Sequence, residues 1–425
     1  MSVSFPIHHT FGPLVTREQW KRAFLLQFQP WKWMKGSERE NFRGDLSRSF
    51  GSSAALFASG REALLASLRA LELKSGEEVI IQAFTCIVIP NAVHAAGGVP
   101  VFADIDPETL NLDLEKLQGR ITTRTRAIIC QHTFGIPVDT KRLRAICDKR
   151  HLALIEDAAH IIPDSGSGAQ LSFLKSAQAS GGIGLHSDVL LFSFGRDKAI
   201  SGVSGGAALT RHPALAERLK KMEDDAPSLS AWLTFHYLSY PLRYHFAKML
   251  WKWNLGKPYL QLMRILHLLP PVLTAEEKEG RAQVILHKMP NALAILVSDQ
   301  LHELPHFNEH RRKLAKLYGA AAKEGGWQLP LELTSATTLQ KFPLFVKNSE
   351  AIRTQLKKEE IYLDDGWNSS VITPPSVKAD AAGYMQGSCP RAEEVVKYLL
   401  LLPLHPTMSE EDAEYLQHAL SSLLR

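Results

Sequence analysis

The chain has 425 residues, 45% of them hydrophobic and 22% charged, a composition that can bury a large core and excludes a disordered or fibrous chain. The net charge of +5 is spread over 49 basic residues with no basic cluster interleaved with aromatics, which argues against nucleic acid as a partner. The cysteines Cys86, Cys130, Cys147 and Cys389 form no CxxC pair, so neither a zinc site nor a redox motif is expected, no metal ligand set is assigned, and a reducing compartment is implied. Met1–Thr10 lacks a charged segment followed by an apolar core, and no window reaches the ~18 uninterrupted apolar residues of a spanning helix. A cytoplasmic protein is the expectation.

In chain order, residues 1–50 read as an N-terminal arm with a short helix near Thr16–Gln27. From about 53 to 210 the pattern alternates. Arg61–Leu73 has helical spacing, Glu78–Ala83 reads as a strand, Pro90–Ala96 as a helix, and Val99–Asp104 and Ala127–His132 as strands. Lys141–Arg150 reads as a helix, and Leu152–Glu156, Val189–Phe194 and Gly206–Thr210 as strands. Strands alternating with helices predict an α/β fold with a mainly parallel sheet covered on both faces, and ligands bind such sheets beyond the carboxyl ends of the strands. Residues 51–223 form the expected large domain, and 224–284 an insertion. The insertion is aromatic and basic, with no acid between Ala226 and Ala275, and reads as helices broken at Pro241 and Pro258 and ended by Pro270-Pro271. Residues 285–425 form a smaller α+β domain: a long helix over Pro290–Tyr318, strands at Leu344–Val346 and Tyr362–Asp364, and helices at Val395–Leu402 and Glu410–Leu424.

Three short runs carry chemistry. Lys198 lies in a polar turn after an apolar strand, flanked by Ser193 and by Ser201-Gly202-Val203-Ser204-Gly205-Gly206, small residues that let backbone approach a flat ligand. Asp157 ends another strand in Ile155-Glu156-Asp157-Ala158-Ala159-His160. A lysine and an aspartate delivered this way suit pyridoxal 5'-phosphate. The amine condenses with the cofactor aldehyde, and the carboxylate keeps the ring nitrogen protonated and the ring an electron sink. Ser59-Gly60-Arg61, just before a helix, offers free N–H groups and the positive end of the helix dipole to a phosphate. Taken singly, each has a plainer reading: a surface lysine, an aspartate capping a helix, a serine N-cap.

In this order the three runs resemble the DegT/DnrJ/StrS family of sugar aminotransferases, of aspartate-aminotransferase fold (fold type I). Further stretches carry the resemblance, among them Gly76-Glu77-Glu78-Val79-Ile80, Val101-Phe102-Ala103-Asp104-Ile105-Asp106, His132-Thr133-Phe134-Gly135-Ile136-Pro137 and Leu402-Pro403-Leu404-His405-Pro406. The resemblance implies that Lys198 holds the cofactor and shuttles a proton, that Asp157 binds the ring nitrogen, and that His160 reaches the ring 3-oxygen. Gly60 and Arg61 would bind phosphate through backbone N–H, and Ser193 through its hydroxyl. It implies a homodimer, with Lys288 as the candidate that approaches the partner's phosphate. Four positions depart from the family pattern. Cys86 stands in place of a stacking aromatic (unless Phe84 substitutes), Gln82 in place of a proline, Val203-Ser204 in place of Gly-Glu, and Leu286 in place of an asparagine.

The function expected is therefore transfer of an amino group from an amino acid, glutamate first, to a keto sugar carried on a nucleotide, in surface polysaccharide or amino-sugar biosynthesis. A sugar dehydratase or lyase, and a low-activity regulator or membrane-associated scaffold, stand as alternatives. For the insertion two readings stay open: helices packed on the core or dimer surface, and a peripheral membrane contact through 228–272.

Overall fold

Seven short apolar strands organise the chain. In the computed structural model, which describes residues 6–163, 183–281, 285–330 and 338–424, they are β1 (Ser53–Phe57), β2 (Glu78–Gln82), β3 (Val99–Ala103), β4 (Thr125–Gln131), β5 (Ala153–Asp157), β6 (Val189–Ser193) and β7 (Gly206–Thr210). They form one sheet in the order β1-β7-β6-β5-β4-β2-β3. β7 is antiparallel to both neighbours and every other pair is parallel. Successive side chains of a strand point to opposite faces. Ala55 and Phe57 enter one core and Ala54 and Leu56 another, while Val79 and Ile81 are parted from Ile80 in the same way. Both faces are thus covered, as expected for parallel strands.

The labelled helices are α1 (Arg17–Gln27), α2 (Glu38–Phe50), α3 (Gly60–Ala70), α4 (Ala231–Trp251), α5 (Gly256–Ile265), α6 (Asn291–His302), α7 (Leu304–Gly325) and α8 (Glu410–Leu424). α3 packs on one face of the sheet. α2, α4 and α6 share the core of the other face near β1, β6 and β7. The smaller domain has its own core of Tyr318, Phe342, Leu344, Leu402 and Leu416, built around an antiparallel pair, β8 (Lys341–Phe345) and β9 (Leu399–Pro403). Residues 6–50 are built into the body: Phe42 and Leu46 have no exposed surface, and Ile7–His8 pairs in parallel with Ile361–Tyr362.

Several expected elements differ. Pro241 does not break the insertion, because α4 runs through it. The missing hydrogen bond and ring clash cost ~3 kcal/mol, but Leu238, Tyr240, Tyr244 and Ala247 on either side are buried, and their burial outweighs that cost. The helix expected over Pro290–Tyr318 is two helices that meet at Glu303, because Pro305 withholds an N–H in the first turn of α7. Leu399–Leu402, expected as helix, belongs to β9, since a short apolar run reads equally as a buried strand and here has β8 to pair with.

Candidate active site

The carboxyl-end edge of the sheet gathers the three chemical runs. β-pairing sets Phe57 opposite Gly206 and Gly206 opposite Ser193, while Asp157 stands opposite Leu191. The turn Ser59-Gly60, which opens α3, therefore lies against the last residue of β6. A Cβ on Gly60 would come within 2.7 Å of Ser193 Oγ, and one on Gly206 within 2.5 Å of Gly60 Cα, so glycine at both positions lets the Gly60 turn lie this close to the end of β6. Ser59 caps α3 by accepting the Glu62 N–H at 3.3 Å, and the first intrahelical bond runs from Ala63 N–H to Ser59 C=O. The Gly60 and Arg61 amides precede that bond and stay available to an anion.

Asp157 is 4% exposed. One carboxylate oxygen accepts the Ala159 N–H at 3.0 Å, and the other has no donor among the described residues. Burial pushes its carboxyl above the usual aspartate range, against the Ala159 N–H and the charges of Lys198 and His132, which pull it down. Lys198 and Asp157 thus lie within electrostatic reach of one another. His160 Nδ1 accepts the Phe134 N–H at 3.2 Å, which leaves the hydrogen on Nε2. Burial, with Lys198 and Lys341 adding to it, holds His160 well below the usual histidine range, so it is a neutral donor. Glu156 leaves the strand on the opposite face and anchors the turn from behind. It accepts from Gly184 N–H at 2.7 Å and from His132 Nε2 at 3.3 Å, while His132 Nδ1 takes the Val138 N–H.

The Lys198 turn is held by groups the sequence did not point out. Arg311 donates to Ala199 C=O at 2.5 Å, and Gln340 donates to Asp197 C=O. A buried ion pair, Lys341 to Asp365 at 2.7 Å, stands nearby, and a cavity of about 20 Å³ beside Lys198, room for one water, is lined by His9, Arg311, Lys341 and His405 among others. Burial tends to raise Asp197, but Lys198 and Lys341 prevail and hold its carboxyl below the usual range. Gln340 and Lys341 lie outside every quoted run, whereas Arg311 and His405 fall in runs that echo the family, but nothing local gave their place beside Lys198.

The departures have structural readings. Phe84 has no exposed surface and packs edge-on to Phe134 and Trp367, which leaves Cys86, with surface to offer, beside Lys198 and Arg61. Burial pushes the Cys86 thiol up, although Lys198 and Arg61 counter it. Gln82 donates to Thr133 Oγ1 at 2.9 Å within a buried polar group that includes Thr85 and Gln131. Val203 sits at φ +70, a left-handed conformation costing a β-branched residue on the order of 1–3 kcal/mol. Its N–H donates to Ser201 Oγ at 2.9 Å, and Ser204 Oγ donates to Ala58 C=O at 2.6 Å, which ties the strained turn to the end of β1. Leu286 is buried.

The Lys288 backbone bridges to Phe57 and Ser228 of its own chain. The insertion reaches the site from the other side. Arg196 donates to Pro270 C=O at 2.5 Å and stacks on Tyr240 at 4.7 Å, while the Arg61 side chain pairs with Glu277 and donates to Val272 C=O at 2.5 Å. Free amides at the start of α3 beside Ser193, a buried carboxylate with one oxygen that has no donor among the described residues, and a neutral imidazole donor fit the phosphate, ring nitrogen and ring oxygen of pyridoxal phosphate.

Comparison with known proteins agrees with this geometry. The family described as the DegT/DnrJ/EryC1/StrS aminotransferase family matches residues 19–234 and 275–421. The chain is 27% identical over 363 residues, 83% of its own length and 79% of the other's, to a UDP-N-acetyl-3-dehydro-alpha-D-glucosamine 3-aminotransferase of Acidithiobacillus ferrooxidans. It is 24% identical over 416 residues, 97% of its length and 96% of the other's, to the spore coat polysaccharide biosynthesis protein SpsC of Bacillus subtilis. Among solved structures it resembles NtdA of Bacillus subtilis with bound cofactor PMP, at a TM-score of 0.73 and 21% identity, over 100% of this chain and 86% of that one.

Proposed function

As a member of the DegT/DnrJ/EryC1/StrS aminotransferase family the chain is a pyridoxal-phosphate-dependent aminotransferase, and we propose that it moves an amino group from an amino acid, glutamate first, to the keto group of a nucleotide-linked sugar. When bound, the cofactor supplies an electron sink that lets a C–H bond beside nitrogen break. The chain's own groups do the rest. Lys198 would tether the cofactor through its amine and carry a proton on that amine. Asp157 would hold positive charge at the ring nitrogen, and His160 would donate its Nε2–H to the ring oxygen. The Gly60 and Arg61 amides and the Ser193 hydroxyl would meet the phosphate, and Cys86 would face the ring.

The observation that carries this reading is Asp157: buried, raised, and with one oxygen that has no donor among the described residues, within electrostatic reach of Lys198. A carboxylate that merely caps a turn gains nothing from such burial. The test is a visible spectrum of the purified protein followed by titration with glutamate. Loss of the yellow band with appearance of pyridoxamine phosphate is expected, and a colourless protein that takes up no cofactor would end the reading.

The proposal extends to the assembly and its place. The protein acts as a homodimer in the cytoplasm, with Lys288 directed to the partner's phosphate site; a monomer in sedimentation would remove that role. The insertion makes a peripheral membrane contact. Phe24, Leu25, Phe28 and Trp31 in and after α1, and Trp232, Phe246, Met249 and Trp253 in and after α4, are large apolar residues left exposed. α1 lies against α4, with Trp20 stacked on His245 at 4.3 Å, so the two runs adjoin. Apolar residues interleaved with lysines and free of acids suit an anionic headgroup layer. Among the described residues no helix is long and apolar enough to cross a membrane.

A further inference from the structure

A cavity of about 690 Å³ opens between the end of α4, the Ile7–His8 strand and the start of α8. Lys248 and Lys252 line it from one face of α4, four residues apart. His8 and His405 line it from the body, stacked at 4.9 Å, and Glu360 and Asp412 complete the charged wall. Both acids are engaged. Glu360 accepts from Lys257 at 2.9 Å, Trp251 Nε1 at 3.1 Å and the Tyr362 hydroxyl at 2.9 Å, and Asp412 accepts the Ser409 N–H at 3.0 Å.

The two lysines are not engaged in this way. Among the described residues neither amine has a hydrogen-bond or carboxylate partner, and Lys252 lies only over the Trp253 ring at 4.0 Å. Burial pushes Lys248 down to about 8, with Asp412 pulling it back up, so at neutral pH it is a charged amine without a partner. Such a group is costly unless something negative completes it. His8 adds a neutral donor: its Nδ1 accepts the Phe11 N–H at 3.1 Å, which places the hydrogen on Nε2, and burial holds it well below the usual range. Two amines and an imidazole N–H match the oxygens of a phosphate group. The volume falls in the range of small-molecule sites, about 300–1,000 Å³, and exceeds what a bare ion needs.

We propose that this cavity is a second ligand site, which holds the phosphate group of a small molecule or lipid through Lys248 and Lys252. It does not rest on the transfer reaction. Both lysines lie in 235–274, the stretch the family match passes over. Phe246, Met249 and Trp253 on the same helix and its exit are exposed, which puts an apolar surface beside the cations. His405 also borders the small cavity at Lys198, so an occupant sits one side chain from the reaction centre.

The experiment uses cofactor-loaded enzyme, in which the start of α3 already carries a phosphate. Pyrophosphate is titrated by calorimetry into wild type, Lys248→Met, Lys248→Arg and Lys252→Met, and the same proteins are spun with phosphatidic acid and phosphatidylcholine vesicles. Saturable pyrophosphate binding is expected in wild type, weakened at least tenfold in Lys248→Met, less in Lys252→Met, and largely kept in Lys248→Arg. Lys248→Met should melt no lower than wild type, because it removes a charge without a partner. Retention on phosphatidic acid vesicles that falls with Lys248→Met assigns the site to a lipid headgroup; retention unchanged by it, with pyrophosphate binding lost, assigns it to a soluble phosphate. Absence of saturable pyrophosphate binding in wild type, or equal binding in Lys248→Met, overturns the proposal.

Discussion

The sheet-edge site and the helical insertion solve opposite problems with the same chemistry. At the sheet edge a buried acid, Asp157, is left with a bare oxygen among groups that are otherwise tightly bonded. In the insertion a half-buried base, Lys248, has no hydrogen-bond or carboxylate partner among the described residues, beside acids that are engaged. In both places the fold tolerates a charge that has no full set of partners among the described residues, and an ion of the opposite sign would complete it. The surfaces differ as well. The edge residues are enclosed, whereas the insertion and α1 expose large apolar side chains while burying Leu238, Tyr240 and Tyr244 in the shared core. The comparison teaches that the insertion has two faces with different tasks, one structural and one open, so excising it would destroy the body along with any surface function.

The comparison breaks most sharply at Lys198. Lys198→Ala should lower turnover by more than ~10⁴-fold, since tether and proton carrier are lost together, and should remove the visible band while the melting temperature stays near wild type. Retained turnover would mean that the edge site is not the reaction centre.

Asp157→Asn tests the bare acid. Breaking its pairing with a ring cation costs about 3–5 kcal/mol, a rate loss of roughly 10²–10⁴-fold. Cofactor-free Asp157→Asn should melt above wild type at neutral pH. The native carboxyl is raised, so ionising it costs the folded state as pH rises through that raised value, and the amide escapes the cost. A plain turn cap would show the reverse, no rate effect and a loss of ~1 kcal/mol.

The open face of the insertion is probed with Trp232, Phe246 and Trp253 together changed to serine. All three are exposed, so melting should shift little, by about 0.5 kcal/mol or less per site. Partition onto anionic vesicles should drop by at least ~10²-fold, from the apolar area lost. Equal pelleting with and without vesicles in wild type would leave only the packing role.

The smallest effect concerns Glu62, which is buried and raised to about 6 while bonded to His287. Its ionisation costs the folded state above pH 6 and not below the usual glutamate range, so wild-type stability from this group falls across that window. Glu62→Gln keeps an acceptor for the His287 N–H and should gain on the order of 1 kcal/mol at pH 8, with no gain at pH 4.

Much of the sheet was legible. β2, β3 and β6 fall within a residue of the expected strands, because apolar runs bounded by turns and acids leave little choice. The runs around Lys198, Asp157 and Gly60 were legible because strand-end chemistry is local in sequence. The kinks and joins were not: α4 continues through Pro241, and Leu399–Leu402 is a strand only because β8 lies beside it. The surroundings of Lys198 were legible only in part: His405 lies in a run that carries the family resemblance, but its place beside Lys198, like that of Arg311, Gln340 and Lys341, depends on chain over a hundred residues away.

By itself the sequence determined the family, the alternation that makes a two-sided sheet, and the three runs whose residue types suit one cofactor. Those features rest on short-range periodicity and on the chemistry of single side chains. Tertiary structure alone decided which charges are buried without partners, that α4 is half core and half open surface, and that two lysines of the insertion face a cavity. Burial and pairing depend on neighbours distant in the chain, and no local pattern encodes them.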